Sequence, residues 1–291
     1  MPTTTQLRER LRRPEILVAP GAYDGLTAKL VQRAGFEAVY LTGGGSSYSQ
    51  LARPDLGLLS FTEMLTRVGL IAECCDLPII ADGDTGYGNY LNMIRTIRQY
   101  IRAGAAGIQI EDQVLPKKCG HLPGRDLISV DEMLGKIRAA QDARTDSDFV
   151  IMVRTDARAV AGLDEAIRRA RLYCAAGADL IYVEGPESVE EMRAITGQVP
   201  GVHAIDIVEG GRIPLLSARE LQAIGYRLAI FPNSIARTVA RCASEVLQVL
   251  REQGTTAAVL DRMYPFDELQ EILGMSEIKA LDLQYGVTQR S

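Results

Sequence analysis

The most constraining feature of this chain is a rhythm that repeats along most of its length. A short apolar run is followed by a polar or glycine-rich stretch and then by an amphipathic segment with helical spacing. Runs this short and this apolar are typical of parallel strands that are buried on both faces. Eight such runs occur, at residues 15–21, 36–45, 77–84, 105–112, 149–157, 178–185, 201–211 and 226–232.

Eight strands that alternate with helices predict an α/β fold, for which there are two main architectures. One is a closed (β/α)8 TIM barrel, and the other is an open, doubly wound sheet. The dinucleotide fingerprint GxGxxG does not follow the first run, and GGG (43–45) lacks its spacing. We therefore predict one (β/α)8 barrel domain over residues 1–291, which includes a C-terminal helical extension over about 232–291.

Composition excludes several classes of protein. The net charge of −5 argues against non-specific nucleic-acid binding. No apolar run approaches the roughly 20 residues that cross a membrane, and the N-terminal segment lacks the apolar core of a secretory signal. The five cysteines form no regular disulfide framework, which favours a cytoplasmic protein. With only two histidines, His121 and His203, a histidine-rich zinc site is excluded.

Charged residues recur where the apolar runs end. In a barrel, the carboxyl ends of the strands meet at one mouth, where active sites are built. Polar strand ends also occur because they border loops, but five charged strand ends in succession predict a shared pocket. The residues concerned are Asp82, Asp84, Glu111, Asp112, Arg154, Asp156, Glu184, Asp206 and Glu209.

The motif ADGDTGYG (81–88) places two carboxylates two residues apart at the end of the third run. Side chains two apart on a strand share a face, so Asp82 and Asp84 both point towards the mouth. Oxygen ligands without His or Cys suit Mg²⁺, and Glu111 could join through a water molecule. The alternative for such a pair is that the acids cap loop or helix amides.

The segment PKKCGHLPGR (116–125) is the most informative stretch. A cysteine beside Lys and His is expected to have a lowered pKa, so Cys119 could serve as a proton donor or base. Flanking Pro and Gly residues predict a loop with hinge points that closes over a substrate. The alternative is an exposed basic turn with an incidental cysteine.

Two further features suit an anionic substrate. The run YLTGGGSS (40–47) offers consecutive backbone N–H groups, a candidate cradle for a carboxylate. Arg154 follows the apolar run FVIMV, and its fixed guanidinium fork could grip a carboxylate or enolate oxygen. We expect His203, at the start of the seventh run, to be structural.

In these motifs the chain resembles the isocitrate lyase/phosphoenolpyruvate mutase superfamily, most closely its methylisocitrate lyase and dimethylmalate lyase branch. The motif KKCGH marks the carbon–carbon lyases of that superfamily. The resemblance therefore implies a lyase that cleaves a 2-hydroxy carboxylic acid to pyruvate or a related 2-keto acid plus a second acid. The motifs are YLTGGG (40–45), PDLG (54–57), ADGDTGYG (81–88), IQIEDQ (108–113), PKKCGH (116–121), VRTDA (153–157) and EGGR (209–212) with Pro214.

The resemblance also implies a cofactor and an assembly. The cofactor is Mg²⁺, or alternatively Mn²⁺, with Asp84 as the direct ligand. Asp55, Asp82 and Glu111 then act mainly through metal-bound waters. The assembly is a homotetramer, a dimer of dimers in which a barrel helix is swapped between subunits.

For the substrate, the resemblance implies that Arg154 contacts the keto acid half and that Cys119 protonates the departing carbon. The keto acid half is also held by Thr42, Gly43 and Gly44. The loop of Cys119 is positioned by Lys117, Gly120 and His121. The remaining pocket residues are Tyr40, near the proton-transfer site, and Glu184, Asp206 and Glu209.

One stretch departs from the family pattern. Where related lyases carry N-x-x-E-x-G-x-T-P, this chain has Asp206 and Ile213 in place of the Asn and Thr. An ionised Asp206 would repel a substrate carboxylate and Ile213 removes a hydroxyl donor, so methylisocitrate is expected to be a poor substrate. The alternative is that Asp206 turns away to pair with Arg212 or another loop cation, which leaves the pocket unchanged. Alternatives are oxaloacetate decarboxylation or carbon–carbon hydrolysis, and a catalytically silent binding protein built on the barrel.

Overall fold

The computed structural model describes residues 1–120 and 122–286, so the candidate His121 lies outside the described residues. Eight parallel strands form a closed barrel in chain order, with β8 paired to β1. The predicted TIM barrel is therefore confirmed, and each strand lies within its predicted run or extends one residue beyond it. The strands are β1 (Leu17–Ala22), β2 (Val39–Leu41), β3 (Ile79–Asp82), β4 (Gly107–Glu111), β5 (Val150–Thr155), β6 (Leu180–Val183), β7 (Val202–Asp206) and β8 (Tyr226–Phe231).

The strands are buried on both faces because successive side chains point to opposite sides of the sheet. Ile80, Met152 and Leu228 belong to one apolar cluster, whereas the neighbouring Ile79 and Ile151 belong to another. The apolar composition of each run follows from this double burial. It also leaves the strand ends as the place where polar side chains accumulate.

Helices follow the strands and cover the barrel. They are α1 (Thr3–Arg12), α2 (Gly25–Arg33), α3 (Gly43–Leu51), α4 (Phe61–Cys74), α5 (Tyr90–Ala103), α6 (Val130–Ala143), α7 (Ala157–Ala161), α8 (Leu163–Ala175), α9 (Val189–Gln198), α10 (Ala218–Ile224) and α11 (Ser234–Gln253). Many begin at a local sequence signal. At α4, the Ser60 side chain accepts from the Glu63 backbone while Glu63 accepts from the Ser60 N–H, which is a capping box. Helix α5 ends at Gly104, whose φ of 100° is readily adopted only by glycine.

The chain separates into two compact units, Met1–Ala236 and Arg237–Ser291. The first contains the barrel. In the second, α11 is followed by a 3₁₀ helix (Ala257–Arg262), α12 (Phe266–Ile272) and α13 (Met275–Tyr285), which confirms the expected helical extension. The single-domain assignment itself stays a prediction. In the described part of the chain, no helix is both long and apolar enough to span a membrane.

Candidate active site

A small cavity of about 40 Å³ lies at the carboxyl ends of the strands. This volume has room for only a few water molecules. Ten of the residues that were predicted from the sequence line this cavity. Five further residues, which the sequence analysis did not select, complete its wall. The lining residues are Tyr40, Thr42, Gly44, Asp55, Asp82, Gln109, Lys117, Cys119, Gly120, Arg154, Asp206, Val208, Ile230, Pro232 and Asn233.

One side of the mouth, which we call the acidic half, contains Asp55, Asp82, Asp84, Glu111 and Lys117. The Lys117 ammonium lies 2.7 Å from Asp55 Oδ1 and 2.9 Å from Asp84 Oδ1. Burial alone would lower the pKa of Lys117, but the surrounding carboxylates, Asp84 first, raise it well above its usual value. Lys117 therefore remains a cation that neutralises this half of the mouth.

The backbone after β3 aims the two acids of the ADGD motif. Asp84 has a φ of 46°, in the left-handed region, and its N–H donates to Asp82 Oδ1 at 3.1 Å. Asp82 Oδ2 accepts from the Gly43 N–H at 3.3 Å. Burial raises the pKa of Asp84 to about 7, against the opposing effect of Lys117. The Asp82 carboxylate thus binds two backbone amides and also lines the cavity, whereas the Asp84 carboxylate pairs with Lys117, so both interpretations of this motif hold in part.

The glycine run forms the first turn of α3 and not an open loop. Thr42 is the N-cap, and its hydroxyl accepts from the Gly45 N–H at 3.1 Å. Gly43 and Gly44 are buried, and a Cβ on Gly43 would lie 2.7 Å from Asp82 Oδ2. Glycine is required here because the helix start packs directly against the β3 carboxylate. Gly44 reaches the cavity wall, whereas Gly43 contacts Asp82.

The opposite side of the mouth, the guanidinium half, is centred on Arg154. Its Nε and Nη2 donate to the two oxygens of Asp156 at 2.9 and 2.8 Å. Its other contacts are Glu111 Oε2 and Glu184 Oε2, each at 3.3 Å. Burial lowers the pKa of Arg154, but Asp156 and Glu184 outweigh that effect and raise it. A bidentate pair of this kind fixes the plane of the guanidinium group.

Several buried oxygens at this mouth have no hydrogen-bond partner among the described residues. Two of them belong to Glu184 and Asp206 in the guanidinium half, where the Tyr182 hydroxyl donates to the second Glu184 oxygen. Burial and the nearby Glu184 raise the pKa of Asp206 well above its usual value. The other oxygens are Glu111 Oε1, Gln109 Oε1 and Asn233 Oδ1. Unpartnered buried oxygens are costly in a folded protein, which makes this wall a candidate for ligand contacts.

The segment PKKCGHLPGR forms a loop that is docked onto the mouth. Its base is closed by a bridge between Gln113 and Leu127. The Cys119 N–H donates to the Asp55 carbonyl at 3.1 Å, and Cys119 lines the cavity. A Cβ on Gly120 would overlap a Glu184 oxygen and Arg154 Nη2. The loop therefore covers the cavity, as the sequence predicts.

Not every predicted residue reaches the cavity wall. Asp84, Glu111 and Glu184 lie behind Lys117 and Arg154, with which they form ion pairs. Glu209 lies elsewhere: it accepts from the Ser234 hydroxyl and borders an apolar groove with Phe231 and Ile235.

Two sequence-based hypotheses need correction. Ile213 packs in an apolar cluster with Ile205 and Ile207 and is absent from the cavity lining, so a hydroxyl at that position would not reach the substrate. The alternative that Asp206 turns away to pair with Arg212 also fails, because Asp206 lines the cavity and Arg212 lies 3.9 Å from Glu187. Only one of the two departures from the family pattern faces the pocket.

Sequence reasoning missed two polar residues of the wall, Gln109 and Asn233. Gln109 is two residues before Glu111, so the alternation of a strand places it on the same face. Asn233 directly follows Pro232 and β8. Extending the strand-end rule to uncharged amides would have identified both residues.

The donor set of the acidic half is compatible with a hard divalent cation. Its side-chain donors are all carboxylate oxygens, and buried Glu111 Oε1 has no partner in residues 1–120 and 122–286. Within those residues no group of three His, Cys, Asp or Glu side chains is already arranged as a complete metal site. Mg²⁺ suits such a place, since it takes one or two carboxylates and keeps several waters.

Comparison with known proteins was made at the levels of family, sequence and structure. The family described as phosphoenolpyruvate phosphomutase matches residues 7–251. The 2,3-dimethylmalate lyase of Eubacterium barkeri is 47% identical over 98% of this chain and 99% of that protein. The 2-methylisocitrate lyase of Aeropyrum pernix is 41% identical over 96% of this chain and 89% of that protein.

Solved structures give the same result. Oxaloacetate acetylhydrolase, bound to 3,3-difluorooxalacetate, superposes with a TM-score of 0.94 at 36% identity, over 99% of this chain and 98% of that one. Phosphonopyruvate hydrolase, in complex with oxalate and Mg²⁺, superposes with a TM-score of 0.89 at 32% identity, over 98% of this chain and 99% of that one.

Proposed function

The chain belongs to the phosphoenolpyruvate phosphomutase family, and from this premise we propose that it cleaves the C2–C3 bond of a small 2-hydroxy carboxylic acid. It is an enzyme, a carbon–carbon lyase of the isocitrate lyase/phosphoenolpyruvate mutase superfamily. The products are pyruvate or a related 2-keto acid and a second acid. The observation that carries this proposal is that Cys119 and Arg154 line one cavity.

The cleavage moves one proton from oxygen to carbon. A base in the cavity takes the proton of the 2-hydroxyl group, the C2–C3 bond breaks, and its electron pair leaves with C3 as an enolate. The Cys119 thiol then donates its proton to that carbon. Arg154 stabilises the oxygens of the keto acid half, and its pair with Asp156 holds the guanidinium in place before the reaction.

The metal of this proposal is Mg²⁺, or alternatively Mn²⁺, in the acidic half. Asp84 would be its direct ligand, with Asp55, Asp82 and Glu111 contributing through water. A bound Mg²⁺ supplies Lewis-acid stabilisation of the oxygens of the keto acid half. The all-oxygen donor set supports this assignment.

The remaining residues are proposed to bind and enclose the substrate. Thr42, Gly43 and Gly44 offer the start of α3 to the keto acid half, since helix N-termini favour anions. Tyr40 lines the cavity, and burial raises the pKa of its hydroxyl, so it acts as a neutral hydrogen-bond group. Lys117, Gly120 and His121 position the loop. Excluding water by loop closure prevents indiscriminate protonation of the enolate.

A second candidate is hydrolysis or decarboxylation of oxaloacetate. It is favoured by the close superposition on oxaloacetate acetylhydrolase and by Asp206, which faces the cavity where related lyases carry Asn. A hydrolase needs water at the reacting carbon, and the unpartnered Asp206 oxygen could hold one.

A substrate screen with Mg²⁺ that follows keto acid release tests the proposal. The acids to compare are 2,3-dimethylmalate, methylisocitrate and oxaloacetate. We expect kcat/KM to be highest for a dimethylmalate-like acid, and Cys119→Ser serves as the matched control for chemistry on the loop. Turnover of oxaloacetate alone would favour the second candidate, and no turnover of any 2-hydroxy acid would reject the lyase assignment.

The assembly and the compartment are also part of the proposal. A homotetramer with exchanged helices is supported by α11, whose residues are all described and none buried, and which exposes Val239, Leu247 and Leu250. Cytoplasmic location is supported by the absence of disulfides among the described cysteines. Light scattering after size exclusion tests the first point, and a monomer would contradict it.

A further inference from the structure

Outside the cavity, a second arginine shares the carboxylate that holds Arg154. Arg125 Nη1 donates to Asp156 Oδ1 at 2.7 Å, and the same oxygen accepts from Arg154 Nη2 at 2.8 Å. Asp156 is 0% exposed and Arg125 is 8% exposed. A buried carboxylate that bridges two guanidinium groups is a charge-assisted contact that solvent screens little.

The backbone at Asp156 is itself held in place by the Asp112 carboxylate. Its backbone N–H donates to Asp112 Oδ1 at 2.9 Å, and the Thr155 hydroxyl donates to Asp112 Oδ2 at 2.8 Å. Burial raises the pKa of Asp156, but Arg154 and Arg125 outweigh it, so the pKa is lower than usual and the group is ionised. Asp156 is therefore a fixed anion on which the Arg125 guanidinium group is docked.

Arg125 belongs to the element that covers the site. It lies in the loop whose base is the bridge between Gln113 and Leu127, six residues after Cys119. The opposite arm of the loop is attached by Lys117, which pairs with Asp55 and Asp84. The loop is thus attached at both arms, through Lys117 to the acidic half and through Arg125 to the guanidinium half.

We propose that Arg125 and Asp156 form a latch that holds the Cys119 loop closed and links its closure to the orientation of Arg154. This inference rests on the proposed function only for the identity of the reaction. Both members are positioning residues, since neither lines the cavity. When the loop is closed, the Cys119 thiol lies at the cavity, and Arg125 completes the hydrogen bonding of Asp156, which orients Arg154. The two catalytic groups, Cys119 and Arg154, are therefore positioned together.

The test measures closure separately from turnover. In the full-length protein with Mg²⁺ and oxalate as the probe, the alkylation rate of Cys119 by iodoacetamide reports closure, and a small-molecule thiol added to the same sample is the reference. The variants are Arg125→Met and Arg125→Lys. The matched control is Arg158→Met, because Arg158 also pairs with a carboxylate, here that of Glu191 through two bonds at 3.0 and 2.7 Å, and does not line the cavity.

We expect oxalate to slow Cys119 alkylation in the unaltered protein and in Arg158→Met. Arg125→Met should lose roughly tenfold of that protection and roughly 10- to 100-fold in kcat/KM, and Arg125→Lys should recover part of both. Full protection in Arg125→Met, or an equal loss in Arg158→Met, overturns the latch. If Arg125→Met does not fold, Arg125→Gln takes its place, and wild-type protection in that uncharged variant overturns the latch equally. The alkylation result stands even if no substrate is turned over, so failure of the latch and failure of the lyase assignment remain distinguishable.

Discussion

In each half of the mouth, a cation neutralises several buried carboxylates, but the two cations are held in different ways. The acidic half gathers four carboxylates around one cation, Lys117, which arrives on a loop. The guanidinium half also gathers several carboxylates, but its cation, Arg154, comes from strand β5 and is held by a bidentate pair with Asp156. One cation can be withdrawn by a loop movement, and the other cannot.

This difference indicates a division of labour. A cation that arrives on a loop can give way to another positive charge, so the acidic half suits an exchangeable metal ion. A cation fixed on a strand is already oriented when the substrate arrives, which is the requirement for stabilising developing negative charge. The predictions below test each half of this comparison, from the largest expected effect to the smallest.

Metal removal tests the acidic half. We expect EDTA to abolish turnover, because the carboxylates alone cannot stabilise negative charge on the oxygens of the keto acid half. The melting temperature should change little, because Lys117 continues to neutralise Asp55 and Asp84. Activity assays and thermal melts on the same samples check this. Full turnover of the metal-free enzyme would contradict the metal assignment, and unfolding by EDTA would contradict the role of Lys117.

Replacing Cys119 tests the loop that spans the two halves. Cys119→Ser should lower kcat by roughly 10²-fold, the scale expected when a general acid is lost. KM should change much less, because the proton moves only as the bond breaks. Cys174→Ser is the control, since Cys174 lies in α8 and not in the cavity wall. A kcat within about twofold of the parent would make the thiol a bystander.

Asp206→Asn tests whether the guanidinium half sets specificity. The sequence predicts repulsion of a substrate carboxylate by Asp206, but the raised pKa means that this repulsion acts only where the acid ionises. The gain in kcat/KM for methylisocitrate should therefore grow as pH rises and reach about tenfold, or about 1.4 kcal/mol, where Asp206 is fully ionised. Ile213→Thr is the control and should show no gain. A pH-independent effect would show that Asp206 does not act through its charge.

The smallest expected effect is on stability. The pKa of Asp206 in the folded state lies above its unfolded value near 3.9. Its contribution to stability is therefore fully present below about pH 4 and is lost as pH rises towards the folded-state pKa. Asp206→Asn should therefore gain stability over the parent as pH increases from 4 to 8, by at most about 1.4 kcal/mol per pH unit.

Asp156→Asn should show the opposite trend. Its lowered pKa gives stability that is present above the unfolded value and is lost as pH falls below it. Denaturant titrations of both variants at several pH values check the pair of predictions. Two variants with the same pH trend would contradict the assignment of opposite charge states to these neighbouring acids.

The barrel could be predicted because double burial makes each strand a short apolar run, and closure brings the strand ends together. That rule also brought Asp82, Asp206 and Arg154 into one cavity wall. It could not predict the left-handed Asp84 or the pairing of Arg125 with Asp156, since both depend on backbone turns and on contacts between residues distant in sequence. The same limitation applies to Ile213, whose side chain points into the core.

Because Gly120 has no side chain, the loop can pack closely against the mouth. Any Cβ at this position would overlap Glu184 and Arg154, and both side chains are buried and paired. A library that randomises the loop to alter substrate range can therefore vary its stems but must keep residue 120 as glycine. A protein engineer who needs room for a larger acid should instead shorten apolar side chains of the cavity lining, at Val208 or Ile230.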